Sequence, residues 1–161
     1  MESIKKRLVP EFESRGFTAV PSTAEDKRGE IGAAFPFGRM QRRGPRGLET
    51  IEIQLDKRGG ASFRLNVGLV PADGVVDAHA GHIPANRVWV QYLPESYELL
   101  QSPRLWKWFS VTRWPWKRIT SAHYDKLVND VVKLMPEIEG FFRDGKPGPH
   151  MRYVDRRSVA D

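Results

Sequence analysis

Cysteine is absent from the 161 residues. Its absence excludes disulfides, a thiol nucleophile and cysteine-ligated zinc. No run approaches the roughly 18 consecutive apolar residues that a transmembrane helix requires. The opening stretch from Met1 to Pro10 has basic residues without an apolar segment behind them, so no secretory signal is expected. Gly59-Gly60 is not followed by the Gly-Lys-Ser/Thr of a phosphate loop, and no Gly-x-Ser-x-Gly nucleophile elbow occurs. Acidic residues are scattered, with no pair placed by periodicity on one apolar face. These absences lead to the expectation of a cytoplasmic, non-catalytic protein with no cofactor and no membrane partner.

Hydrophobic residues make up 40% of the chain, enough for a packed core in a chain the size of one domain. The net charge of +6 is unevenly placed. Arg39, Arg42, Arg43 and Arg46 fall in one stretch with no acid, and residues 104–118 contain Arg104, Lys107, Arg113, Lys117 and Arg118, again with no acid. Outside these two segments 17 basic residues face 20 acidic ones. The basicity is therefore local, and a local field can steer an anionic partner.

Periodicity organises the rest. Ile4, Leu8 and Phe12 recur every four residues on a helix that Pro10 should kink or divide and Gly16 should stop. A strand is expected at 30–37, followed by a mobile arginine-rich loop at 38–47. Ile51, Ile53 and Leu55, then Phe63, Leu65, Val67 and Leu69, alternate with polar residues and predict a β-hairpin over 49–56 and 61–70. All these apolar positions are odd-numbered. One shared buried face then demands an odd number of turn residues, three or five. A central strand is expected at 86–93, a short helix at 95–101 and a strand near 106–112. Tyr124, Leu127, Val128, Val131 and Met135 predict a helix capped by Thr120 or Ser121 and closed by Pro136, with a further helical turn running to Phe142. The expected architecture is α+β: one domain over 1–144, with a mostly antiparallel sheet of about five strands packed by the N- and C-terminal helices. Residues 145–161 are expected to form a frayed, charged tail.

Gly16-Phe17 after the first helix, the Gln54 strand, the run from Phe63 to Gly68, the tryptophans around Trp114 and the Pro136-Glu-Ile-Glu139 ending together resemble the bacterial domain-of-unknown-function 4304 family over roughly residues 4–142. The chain departs from that pattern in the 38–47 and 71–85 segments. The resemblance implies the same α+β fold in a bacterial protein and brings no catalytic residue with it.

Four of the five tryptophans, Trp106, Trp108, Trp114 and Trp116, lie among the cations of 104–118. Interleaved aromatics and cations can stack bases and neutralise phosphates. The competing reading makes the tryptophans core and the cations a solvent face, because tryptophan is mostly buried. Arg39, Arg42, Arg43 and Arg46 could form an arm that orders on an anion, or a solvated loop. Glu52, Gln54, Arg64 and Asn66 line the polar face of the hairpin, which is either simply wet, with Glu52 facing Arg64, or curled into a groove for a small ligand. Asp73, Asp77, His79 and His82 are the cluster with metal-ligand residue types, but they sit in a Gly/Pro-bounded segment without a rigid frame. His123, near the start of the last helix, is expected to be a capping or surface residue, and His150 to lie in the tail. The leading expectation is a binding module for a protein or undefined ligand. Nucleic-acid binding through 39–46 and 104–118 comes second, and an enzyme or small-ligand groove third.

Overall fold

The computed structural model describes residues 2–28, 30–57, 62–77, 81–111 and 118–156. The chain is a mixed α+β fold built on one seven-stranded antiparallel sheet. Its strands are β1 (Thr18–Val20), β2 (Arg39–Gly44), β3 (Gly47–Leu55), β4 (Ser62–Val70), β7 (Glu95–Leu99), β8 (Phe109–Ser110) and β9 (Met151–Asp155). The order is β1-β2-β3-β4-β7-β9, with the short β8 also pairing with β4. β5 (Val75–Asp77) and β6 (Gly81–Ile83) form a separate two-stranded ribbon.

The hairpin follows the alternation. Leu55 pairs with Phe63, and the Asp56 N–H donates to the Ser62 carbonyl at 3.1 Å, so five residues make the turn and the odd parity holds. Ile51, Ile53, Phe63, Leu65 and Val67 all point into the main core. The helices over this face are α1 (Val9–Ser14), α4 (Ser121–Lys133) and α5 (Met135–Asp144). Ile4, Leu8 and Phe12 are buried against Leu127, Val131, Ile138 and Phe142. Each such side chain contributes about 1.5–3 kcal/mol by burial. Pro10 divides the first helix as expected. It has no N–H to offer Lys6 and its ring crowds that carbonyl, so Ile4–Leu8 is wound as a π-helix before α1 begins. Gly16, at φ +84°, ends the helix.

The second face of the sheet is also covered. Val88, Trp89, Val90 and Leu93 are buried. Val90 and Leu93 pack with Val70, while Trp89 packs with Ala34 and Phe35 of the segment that follows α2 (Ala24–Arg28) and contains α3 (Glu30–Ala34). This corrects several expectations. Residues 86–93 are apolar on both sides because they form a covering layer between Pro84 and Pro94. They are wound into 3-10 turns at Ala85–Arg87 and Val90–Tyr92 and do not pair as a central strand. Residues 30–34 are helical. Residues 39–44 form a strand, because the guanidinium groups of Arg39 and Arg42 find partners inside the fold. Residues 95–99 form a strand whose Tyr97 and Leu99 continue the odd-numbered apolar face of β4. Of the expected 106–112 strand, only Phe109–Ser110 joins the sheet among the described residues; Lys107 makes an isolated bridge to Ser102, and Thr112 lies outside the described residues.

The tail beyond Gly145 is likewise ordered over its middle. Gly145, at φ +71°, closes α5. Glu137 then accepts the His150 backbone N–H at 2.8 Å and lies 2.7 Å from His150 Nδ1, which leads the chain into β9 beside β7. Residues 157–161 lie outside the described residues.

Candidate functional site

Covering both faces changes what the polar side of the sheet means. Arg39, Glu52, Asn66, Glu98 and Arg152 occupy directly paired positions, one per strand, across β2, β3, β4, β7 and β9. The expected polar groove divides accordingly. Glu52 and Asn66 are buried beneath the 88–93 layer. Glu52 Oε1 accepts the Val90 N–H at 2.6 Å, supplying the acceptor that a missing strand neighbour would have offered. Burial pushes the Glu52 carboxyl up to about 7, against the Val90 N–H, the Asn66 amide and the charges of Arg39 and Arg156, which pull it down. The sequence led to the expectation that Glu52 faces Arg64, and the structure corrects it: Glu52 stands opposite Asn66. The register sets Gln54 opposite Arg64. Arg64 Nε and Asn66 Nδ2 both donate to Gln54 Oε1, at 2.9 and 3.0 Å, and Arg64 Nη1 lies 2.7 Å from Glu98 Oε1. Burial lowers the Arg64 guanidinium pKa, while Glu98 raises it.

Toward the β8 end this network opens. Trp108 lies under the Arg64 guanidinium, 4.5 Å from ring centroid to Cζ, and borders a cleft of about 420 Å³ lined also by Gln54, Leu55, Asp56, Lys57 and Ser62. The neighbouring loop is closed by a reciprocal backbone pair. The Lys107 N–H donates to the Ser102 carbonyl at 2.9 Å, and the Ser102 N–H donates to the Lys107 carbonyl at 3.2 Å. Within this ring a 3-10 turn, Pro103–Leu105, leads into Trp106 at φ +53°, the one non-glycine residue with positive φ among the described residues. Such a conformation is costly for a bulky residue and persists only where its surroundings enforce it. The result is a tip on which Leu105 is 74% and Trp106 66% exposed, flanked by exposed Arg104 and Lys107. One indole face of Trp106 is taken by Arg152, whose Cζ stands 3.1 Å from the ring centroid and whose Nη1 is 3.4 Å from Glu98 Oε2. The loop is therefore rigid, cationic and aromatic at its surface. Sequence reasoning missed Arg152, because β9 was expected to be a tail.

The other arginine segment does something else. Arg39 is buried. Arg42 joins three elements: its Nε donates to Glu49 Oε2 at 2.7 Å, its Nη1 to the Arg15 carbonyl at 2.7 Å and its Nη2 to Glu139 Oε2 at 2.7 Å. It also stacks on Phe17. Arg46 Nη1 donates to the Phe141 carbonyl at 3.0 Å at the C-terminus of α5, where the helix dipole favours a cation. Arg43 is exposed on β2. The segment is consequently no flexible arm. Its turn lies where Leu48 pairs with Val70, whereas β8 lies beside Phe63 at the opposite end of β4. Seven residues of strand separate those two points, roughly 20 Å, so the β2–β3 turn and the tryptophan loop do not merge into one patch.

Arg118 is exposed, while Arg113, Trp114, Trp116 and Lys117 lie outside the described residues. Of the metal-type cluster, Asp77 sits in β5 and His82 in β6, with His82 Nε2 2.7 Å from the Asp73 carbonyl oxygen. His79 lies outside the described residues. Among the described residues no group of three or more metal-ligating side chains converges, and no helix is long and apolar enough to cross a membrane. His123 takes part in the cap of α4, its Nδ1 accepting the Thr120 N–H at 3.1 Å. Comparison of the chain with protein-family models, with curated proteins and with solved structures gives no match.

Proposed function

We propose that this protein is a non-catalytic binding module whose docking face is the 102–108 loop with Arg64 and Arg152, and that single-stranded nucleic acid is the partner this face suits best. The observation that carries the reading is the exposure of Trp106 at the tip of a hydrogen-bonded ring, flanked by Arg104 and Lys107, which are exposed and make no ion pair among the described residues. Arg104, Lys107 and Arg118 all belong to the 104–118 basic segment, and they make no ion pair among the described residues. An exposed indole stacks on any base, and free cations nearby answer the phosphates. The rigidity of the loop lowers the ordering cost of binding. The resemblance noted in the sequence brings no catalytic residue and is compatible with this role.

A second reading rests on Leu105 next to Trp106. Exposed apolar side chains side by side also suit a protein partner. Titration separates the two. Fluorescence anisotropy of labelled single-stranded RNA, single-stranded DNA and duplex DNA is followed at low and moderate salt. The proposal expects saturable single-strand binding that weakens steeply with salt and is lost in Trp106→Ala. Absence of binding at low salt, or binding indifferent to Trp106→Ala, overturns it and leaves the protein-partner reading.

A further inference from the structure

On the far side of the covering layer lies a second cleft, of about 410 Å³, lined among others by Glu25, Asp26, Arg39, Arg87, Trp89 and Tyr92. Its size suits a small molecule. Arg39 is only 2% exposed, and its guanidinium lies over the Trp89 ring, 4.4 Å from Cζ to the centroid. Among the described residues it makes one hydrogen bond, from Nη1 to the Arg87 carbonyl at 2.8 Å, and its buried Nε has no acceptor. A guanidinium offers five donors in a fork that matches a carboxylate. The charges of Asp26 and Glu52 act on this guanidinium, yet its Nε keeps no acceptor, and a buried donor left without one costs stability that a bound anion would recover. Arg87, exposed on its 3-10 turn, adds a second cation to the same cleft.

Acidic groups line the cleft too. Asp26 is fixed by Trp89 Nε1–H at 3.0 Å and by the N–H and hydroxyl of Thr23 at 2.8 and 2.9 Å. Its carboxylate is thereby held ionised and oriented. Glu25, next to it, is exposed and makes no ion pair among the described residues. Two cations and two anions around one small cavity, with Trp89 and Tyr92 between them, suit neither a simple anion nor a simple cation. They suit a molecule bearing both charges.

We infer that the cleft between α2, β6 and the 85–92 layer is a binding site for a small zwitterion of the α-amino-acid class, its carboxylate on Arg39 and Arg87 and its ammonium on Glu25 and Asp26. The site is separate from the Trp106 loop and does not depend on the reading of that loop.

The test is isothermal titration calorimetry of the full chain with each free amino acid, and then with the N-acetyl and C-amide forms of any that bind. At least one free amino acid should give saturable heat at micromolar to millimolar concentration. Blocking either charged end should weaken it about tenfold or more, the loss expected of one charge-assisted pair. Arg87→Gln and Glu25→Gln change exposed side chains that the fold does not use, and each should also weaken binding about tenfold. No binding of any amino acid at millimolar concentration overturns the inference. So does binding that the N-acetyl form retains in full, or that both variants leave unchanged.

Discussion

Arg39 and Glu52 stand directly opposite each other on β2 and β3, both buried, yet they do not close into an ion pair. Arg39 turns to Trp89 and the Arg87 carbonyl, and Glu52 turns to the Val90 N–H. Each side chain thus anchors the covering layer to the sheet instead of closing on its neighbour, although their charges still attract. The cost appears in the carboxyl of Glu52, raised from 4.5 to about 7, chiefly by burial.

That shift makes stability pH-dependent. Below pH 4.5 Glu52 is protonated in both the folded and unfolded chains. Between 4.5 and about 7 only the folded chain holds the proton, so its contribution to stability falls as pH rises, and it levels off above about 7. The full excursion from this group is roughly 3 kcal/mol. Urea denaturation across pH 4 to 8 should show the decline, and Glu52→Gln should flatten it. An equal slope in the two proteins would remove Glu52 as its cause.

Arg42 is the tie between β2, β3, α1 and α5. In Arg42→Ala the Glu49 side chain, 2% exposed, loses its counter-ion. An uncompensated buried charge costs about 3–5 kcal/mol. Arg42→Lys should recover only part of this, since an ammonium cannot serve Glu49, Glu139 and the Arg15 carbonyl with one planar fork. Chemical denaturation of both variants checks the order.

Gly68 lies beneath the covering layer. A Cβ there would collide with Leu93 Cδ1 and stand 3.4 Å from Val90 Cγ1. Gly68→Ala should therefore destabilise by about 1–3 kcal/mol, although alanine is ordinarily the better strand residue. Thermal unfolding measures it, and a stabilised variant would mean that the layer gives way freely.

The Trp106 loop should separate binding from stability. Trp106→Ala, at an exposed position, should leave unfolding within about 0.5 kcal/mol of the parent, but weaken single-strand binding by about 1–3 kcal/mol. Lys107→Gln should weaken binding less and lower the salt slope by about 0.7. A loss of stability that matches the loss of affinity would assign Trp106 a structural role.

The sequence by itself determined whatever local periodicity governs. The alternation of β3 and β4 set one buried face, and its parity set the odd turn between them. The spacing of Leu127, Val128 and Val131 set the inner face of α4, and Pro10 set the break in the first helix. These outcomes depend on side chains a few residues apart, which the chain displays in order. Other outcomes were decided only by tertiary structure. Arg39, Arg42 and Arg46 read as a solvated arm because arginine is usually exposed, yet their partners are a tryptophan, a carboxylate and backbone carbonyls lying 48 to 97 positions away. Glu52 and Asn66 carried the pattern of a wet face. They became buried because residues 88–93, whose apolar content suits a strand and a covering layer equally well, chose the latter and brought the Val90 N–H to Glu52. Arg152 joined the tryptophan site only when β9 found the open edge of β7. Charge and hydrophobicity are written locally, but a buried charge is stable only where distant groups answer it, and that answer is a property of the folded chain.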